Sequence, residues 1–169
     1  WTDVAEDARV GALLIGPGLG RGDAARDSLT AALATSHALV LDADALMLLT
    51  KAERDGLGAR DKPVILTPHE GEFATLFGDN NGSKIDRARK AAALSGAVVI
   101  LKGADTVIAA PNGRVGVAPD ASGWLASSGT GDVLAGCCVG RLAAGGDAFS
   151  AACDAVWLHA EAARLAGPA

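Results

Sequence analysis

Gly129-Thr130-Gly131-Asp132 stands at the head of the apolar run Val133-Leu134-Ala135-Gly136. Glycines let a backbone approach a ligand closely, and the first N–H groups of a helix have no partner within it. Together with the helix dipole, such N–H groups form a hole for an anion. An aspartate placed there lies beside a bound phosphoryl group, where it can take the proton of a hydroxyl that attacks phosphorus. A plain N-cap role explains Asp132 by itself but leaves the paired glycines unexplained.

Three further groups of residues carry weaker signals of the same kind. Gly16-Pro17-Gly18-Leu19-Gly20 follows an apolar run and precedes a helical pattern. It suits close approach to phosphate or ribose, but matches neither the dinucleotide fingerprint nor a P-loop. A tight strand-to-helix turn is an equal explanation. Thr67-Pro68-His69-Glu70-Gly71-Glu72 forms a polar elbow, because Pro68 keeps Thr67 extended. His69 is placed to touch a substrate, and Glu72 to hold a water or Mg²⁺ near phosphate. Acidic decoration of a helix start is the competing reading. A zinc-protease motif fails because Phe73 stands where the second histidine is needed. Lys102-Gly103-Ala104-Asp105-Thr106 offers a lysine to a phosphate, or is an exposed turn.

The elements that must position these residues alternate between short apolar runs and helical stretches, which indicates β-α units and a mainly parallel sheet. Strands are expected at Ala12 to Ile15, Ala38 to Leu41, Val64 to Leu66 and Ala97 to Leu101. Helices are expected from Asp23 (as N-cap) to Ser36, Glu70 to Phe77, Ser83 to Ser95, one opened by Gly129-Thr130-Gly131-Asp132, and Ala148 to Leu165. Thr106 to Ala109 and Val115 to Ala118 flank Pro111-Asn112-Gly113 and read as an antiparallel hairpin. Lys51 to Lys62 reads as a charged surface connection. The fold class is therefore α/β, with a mainly parallel central sheet, helices on both faces and a C-terminal antiparallel hairpin. Gly16 to Gly20, Asp42, His69 and Lys102 all fall just past the C-terminal ends of buried runs. In a parallel sheet those ends share one edge, where ligands bind.

Composition narrows the partners. The 169 residues are 50% apolar and only 4% aromatic, with a net charge of −5. That is enough for one domain with a sizeable core. No basic cluster suits a nucleic-acid groove or an anionic membrane, and no apolar run reaches the length of a membrane span. Cys137, Cys138 and Cys153 lack metal-ligand spacing and read as plain buried cysteines in an intracellular protein. His37 and His159 read as structural or surface residues. Trp1 is no initiator methionine, and the glycine motif follows almost at once, so a single domain cut at both ends is expected over residues 1–169.

The motifs together resemble one family. Ile15-Gly16-Pro17-Gly18-Leu19-Gly20, Leu41-Asp42-Ala43-Asp44-Ala45-Leu46, Leu66-Thr67-Pro68-His69, Leu101-Lys102-Gly103 and Ser128-Gly129-Thr130-Gly131-Asp132-Val133-Leu134-Ala135-Gly136 occur in the order of the ADP/ATP-dependent NAD(P)H-hydrate dehydratases. These are a branch of the ribokinase-like fold. The resemblance implies repair of hydrated NADH and NADPH in the cytoplasm, with Mg²⁺ and with ADP or ATP as co-substrate. It implies dinucleotide contacts at Gly18 and His69, and adenine-nucleotide contacts at Lys102, Gly103, Ala104, Asp105, Thr106, Gly129, Thr130 and Gly131. Asp132 is implied at the substrate hydroxyl, and Glu72 near Mg²⁺ through water. A homo-oligomer and a fused or separate epimerase are implied as partners. One departure is Glu70, where many bacterial members carry a second proline. The family's preceding segment, with its first strand and a substrate-contacting helix, has no counterpart here. Two other readings stay open: a ribokinase-like kinase of a thiazole or pyrimidine alcohol, and a nucleotide-binding fragment without catalysis.

Overall fold

The computed structural model describes residues 7, 9–78, 81–119 and 123–167. Six strands form one sheet in chain order: β1 (Ala12–Ile15), β2 (Ala38–Leu41), β3 (Val64–Leu66), β4 (Val98–Leu101), β5 (Thr106–Ala109) and β6 (Val115–Ala118). The first four pair in parallel, and β4–β5 and β5–β6 are antiparallel. The expected sheet and hairpin are therefore present.

Chain order has a consequence for the layers. Each parallel step moves in one direction, and right-handed crossovers then return on the same face. That face carries α1 (Asp23–Ala34), α2 (Ala43–Leu48), α3 (Lys51–Gly56), a 3₁₀ turn at Leu57–Ala59, α4 (Glu70–Phe77) and α5 (Lys84–Ser95). Leu29, Leu46, Phe73 and Ala92 of this layer pack on Leu39, Leu41, Leu66, Val99 and Leu101. Among the described residues the opposite face is covered by α6 (Thr130–Ala143) and α7 (Ala148–Ala166), whose Leu134, Cys138, Ala152 and Val156 pack on Val40, Ile65 and Ile100. The two-residue alternation within β2 sorts Leu39 and Leu41 to one core and Ala38 and Val40 to the other.

Several boundaries differ from expectation. Lys51 to Lys62 is not a mere connection: Thr50 and Glu53 form a reciprocal capping box that starts α3. A short helix also follows Asp42, entered through Ala43 at φ 47°. Gly22 rather than Asp23 is the N-cap of α1, and Gly129 rather than Asp132 is that of α6. Cys138 is buried, but Cys137 and Cys153 are half-buried, because α6 and α7 each leave one flank uncovered.

Asp147 caps α7, accepting from the N–H groups of Phe149 and Ser150 (both 3.2 Å), the Ser150 hydroxyl (2.6 Å) and the Arg114 guanidinium (3.1 Å). The Ser150 hydroxyl leads these contacts in lowering its pKa from 3.8 to about 2. A depressed carboxylate pKa contributes stability above the unfolded value and loses it as pH falls toward the folded one. Asp147→Asn is therefore expected to melt lower than the parent at pH 7, with the gap closing between pH 3.8 and about 2. A gap that persists at the acid end would show that the carboxylate charge is not what holds the helix start.

Candidate active site

The C-terminal ends of β1 to β4 do converge. Gly16 adopts φ 134°, and a Cβ there would lie 1.7 Å from the Asp42 carbonyl oxygen, so β1 and β2 leave the sheet in close backbone contact. Asp42, with its side chain 2% exposed, receives the Lys102 ammonium at 2.9 Å across two intervening strand boundaries. The Lys102 N–H donates to the Pro68 carbonyl at 2.9 Å, which ties the end of β4 to the elbow after β3.

Lys102 also reaches the other layer. A Cβ on Gly131 would stand 3.4 Å from the Lys102 Nζ, so the ammonium lies against the first turn of α6. Gly129, at φ 86°, turns the chain into that helix. The N–H groups of Gly131 and Asp132 have no intrahelical carbonyl to donate to. An ammonium beside the positive end of a helix dipole is repelled unless negative charge lies close. Asp42 supplies that charge.

Beside this junction lies a cavity of about 310 Å³, lined among others by Lys102, Gly103, Ala104, Thr106, Thr130 and Gly131. Its volume suits a small-molecule ligand. The Thr130 hydroxyl holds one wall, its single proton placed to be shared between the carbonyls of Leu125 (2.7 Å) and Ser127 (2.8 Å) next to a 3₁₀ turn at Gly123–Ala126. His159 of α7, read from the sequence as a structural or surface residue, also lines the cavity. Burial, the largest cause, lowers its pKa, against a backbone hydrogen bond with Thr130. Its sequence neighbourhood gives no hint of this, because only the crossing of α6 and α7 brings it to Thr130.

The remaining expected site residues are not among those that line the cavity. Asp132 is exposed in the first turn of α6, and Gly18 is exposed at φ 67° in the loop after β1. The Asp105 carboxylate pairs with Lys84 at 3.0 Å instead of lining the cavity. His69 is the N-cap of α4: its Nδ1 accepts from Gly71 N (3.0 Å) and Glu72 N (3.1 Å), while its own N–H donates to Glu72 Oε2 (2.9 Å). An accepting Nδ1 puts the ring proton on Nε2, so the exposed edge of His69 is a hydrogen-bond donor and not a base. Glu72 is 9% exposed with Oε2 occupied, which leaves Oε1, 3.5 Å from His69 Nε2. Among the described residues no group of three metal-ligating side chains occurs. A single carboxylate oxygen fits Mg²⁺ held mainly by waters and phosphate oxygens, and does not fit an all-protein cage. Cys138 is no nucleophile, since burial pushes its thiol up to about 12.

A parallel sheet with a glycine-led helix end at its C-terminal edge is the architecture of the ribokinase-like proteins. A ribokinase-like superfamily protein from Enterococcus faecalis superposes with a TM-score of 0.81 at 29% identity, over 95% of this chain and 56% of that one. Within that class, the NAD(P)H-hydrate dehydratase family model matches residues 2–168. The chain belongs to the NAD(P)H-hydrate dehydratase family. An ADP-dependent (S)-NAD(P)H-hydrate dehydratase from Neisseria meningitidis is 40% identical over 95% of this chain and 56% of its own length. The ADP/ATP-dependent NAD(P)H-hydrate dehydratase of Bacillus subtilis, co-crystallised with ATP and Mg²⁺, is 34% identical with a TM-score of 0.82, over 98% of this chain and 60% of that one. The chain spans between 30% and 56% of the length of the first curated relatives it matches. Among the described residues no helix is long and apolar enough to cross a membrane.

Proposed function

We propose that this chain carries the nucleotide-dependent dehydration of hydrated NADH and NADPH. The observation that supports this most is the Lys102 ammonium, held by Asp42 at 2.9 Å against the glycine-led start of α6. It presents a fixed cation and a helix N-terminus to the same anion. In this reading Lys102, Gly103, Ala104, Thr106, Gly129, Thr130 and Gly131 receive the adenine nucleotide. Gly18 and His69 receive the hydrated dinucleotide, the latter through Nε2–H. Glu72 would hold Mg²⁺ through water, and the ion would neutralise phosphate charge when bound.

Asp132 takes the proton of the added hydroxyl as its oxygen attacks the terminal phosphorus of the nucleotide. The bond from that phosphorus to the bridging oxygen breaks, releasing AMP from ADP or ADP from ATP. Phosphate then leaves the ring carbon with its bonding electrons, and loss of a ring proton restores the double bond. Hydroxide would leave poorly, so nucleotide cleavage drives the elimination. The "(S)" in the Neisseria relative's name fits an enzyme that takes one epimer, and a fused or separate epimerase would recycle the other. The resemblance extends the proposal to a homo-oligomer working in the cytoplasm.

The test is recovery of reduced-nicotinamide absorbance from hydrated NADH with Mg²⁺ and either ADP or ATP. Nucleotide-dependent recovery supports the dehydratase. Phosphorylation of a thiazole or pyrimidine alcohol by ATP, with no recovery, would replace it by the alcohol kinase.

A further inference from the structure

The turn that follows β4 is held from behind by a residue outside every motif considered above. Lys84 opens α5, and its side chain is only 14% exposed. Its ammonium donates to the Asp105 carbonyl (2.6 Å), the Asp105 carboxylate (3.0 Å) and the Lys102 carbonyl (3.4 Å). Three donors on one nitrogen thus meet three acceptors of one turn. The packing is close enough that a Cβ on Gly103 would come within 2.3 Å of the Lys84 Nζ. The Lys84 ammonium therefore lies directly against the back of the turn at Gly103.

The front of the turn is the cavity wall. Lys102, Gly103, Ala104 and Thr106 line it, while Asp105 points back to Lys84. A hydrogen bond from the Thr106 hydroxyl to the Gly103 carbonyl (3.1 Å) closes the turn internally. Glu70 stands on the far side of the lysine, 3.9 Å from its ammonium and 2.6 Å from the Arg87 guanidinium. Glu70 belongs to the elbow after β3, which thus adds a second, more distant negative charge beside the Asp105 carboxylate.

We propose that Lys84 is the positioning residue of the nucleotide-binding turn. It touches no ligand; it fixes the carbonyls of Lys102 and Asp105, so that the N–H groups of the turn and the Lys102 side chain face the cavity before a nucleotide arrives. Preorganisation of this kind raises affinity by removing the cost of ordering the loop on binding. The proposal rests on the reading of the cavity as an adenine-nucleotide site.

The experiment compares the parent protein with Lys84→Met, which keeps the aliphatic stem, with Lys84→Arg, which keeps the charge, and with Asp105→Asn as a milder probe should the methionine variant fail to fold. Amide hydrogen exchange over residues 103–106 without nucleotide reads the turn directly, and ADP titration reads the site. Lys84→Met is expected to speed exchange in the turn and weaken ADP binding, each about tenfold, with Lys84→Arg within about threefold of the parent and Asp105→Asn intermediate. Unchanged exchange and a Kd within about twofold of the parent in Lys84→Met would overturn the proposal. A parent protein that binds no adenine nucleotide overturns the nucleotide reading, and with it this role, while the exchange data still report separately whether Lys84 orders the turn.

Discussion

Asparagine at position 132 is expected to lower turnover of hydrated NADH by about 10²- to 10⁴-fold, the usual contribution of a positioned general base. Asparagine keeps the shape and loses the ability to take a proton. Asp132 is exposed at the start of α6, and the helix is capped without it, by Gly129. The fold therefore has little reason to respond. Loss of one carboxylate from a first helical turn costs about 0.3–1 kcal/mol. ADP binding should stay within a few fold, because the Lys102 ammonium and the Gly131 N–H are untouched. A turnover loss of only about twofold would place the base elsewhere. A large loss accompanied by a fallen melting temperature would make Asp132 structural.

The second large effect is expected at Gly16. Alanine there meets two obstacles: a φ of 134° that side chains rarely adopt, and an Asp42 carbonyl 1.7 Å from the new Cβ. Neither the β1 backbone nor the start of α2 can yield without breaking the pairing of Ile15 with Leu41. A destabilisation of about 3 kcal/mol or more is expected from denaturant unfolding. Gly18 is the control, because its φ is 67° but nothing lies within 4 Å of its added Cβ. Gly18→Ala should cost only about 1–2 kcal/mol. Equal costs at the two positions would mean that the close approach of β1 to Asp42 is not what Gly16 provides.

The contrast between Gly16 and Gly18 also shows what the sequence alone conveys. Both are glycines of one loop, and nothing local distinguishes steric necessity from freedom. The strands were legible because Ala38–Leu41 and Val98–Leu101 are continuous apolar runs that end at Asp42 and Lys102, as expected of buried parallel strands. The helix after Asp42 was not, because its six residues begin with a strained Ala43 and lack a side-chain cap. The helix after Thr50 carried a visible signal, the Thr50 and Glu53 spacing, that the density of charge concealed. Within the site, the glycines and Asp132 announce themselves locally. Lys102 with Asp42 is sixty residues apart, and His159 and Lys84 depend on helix crossings, so each needs the fold before its place can be read.

The order of strands along the sheet bears on when the site comes into being. Every crossover from β1 to β4 lies on one face, so that layer is assembled by neighbours in the chain. The other face, with Val40, Ile65 and Ile100, takes its cover among the described residues from α6 and α7. During synthesis this apolar sheet surface thus lacks α6 and α7 until the residues from Thr130 onward are made, and uncovered surface of this kind is prone to aggregation. Those same residues bring Thr130 to Asp132 and His159. Packing of the second core and completion of the cavity beside Lys102 are therefore one docking event.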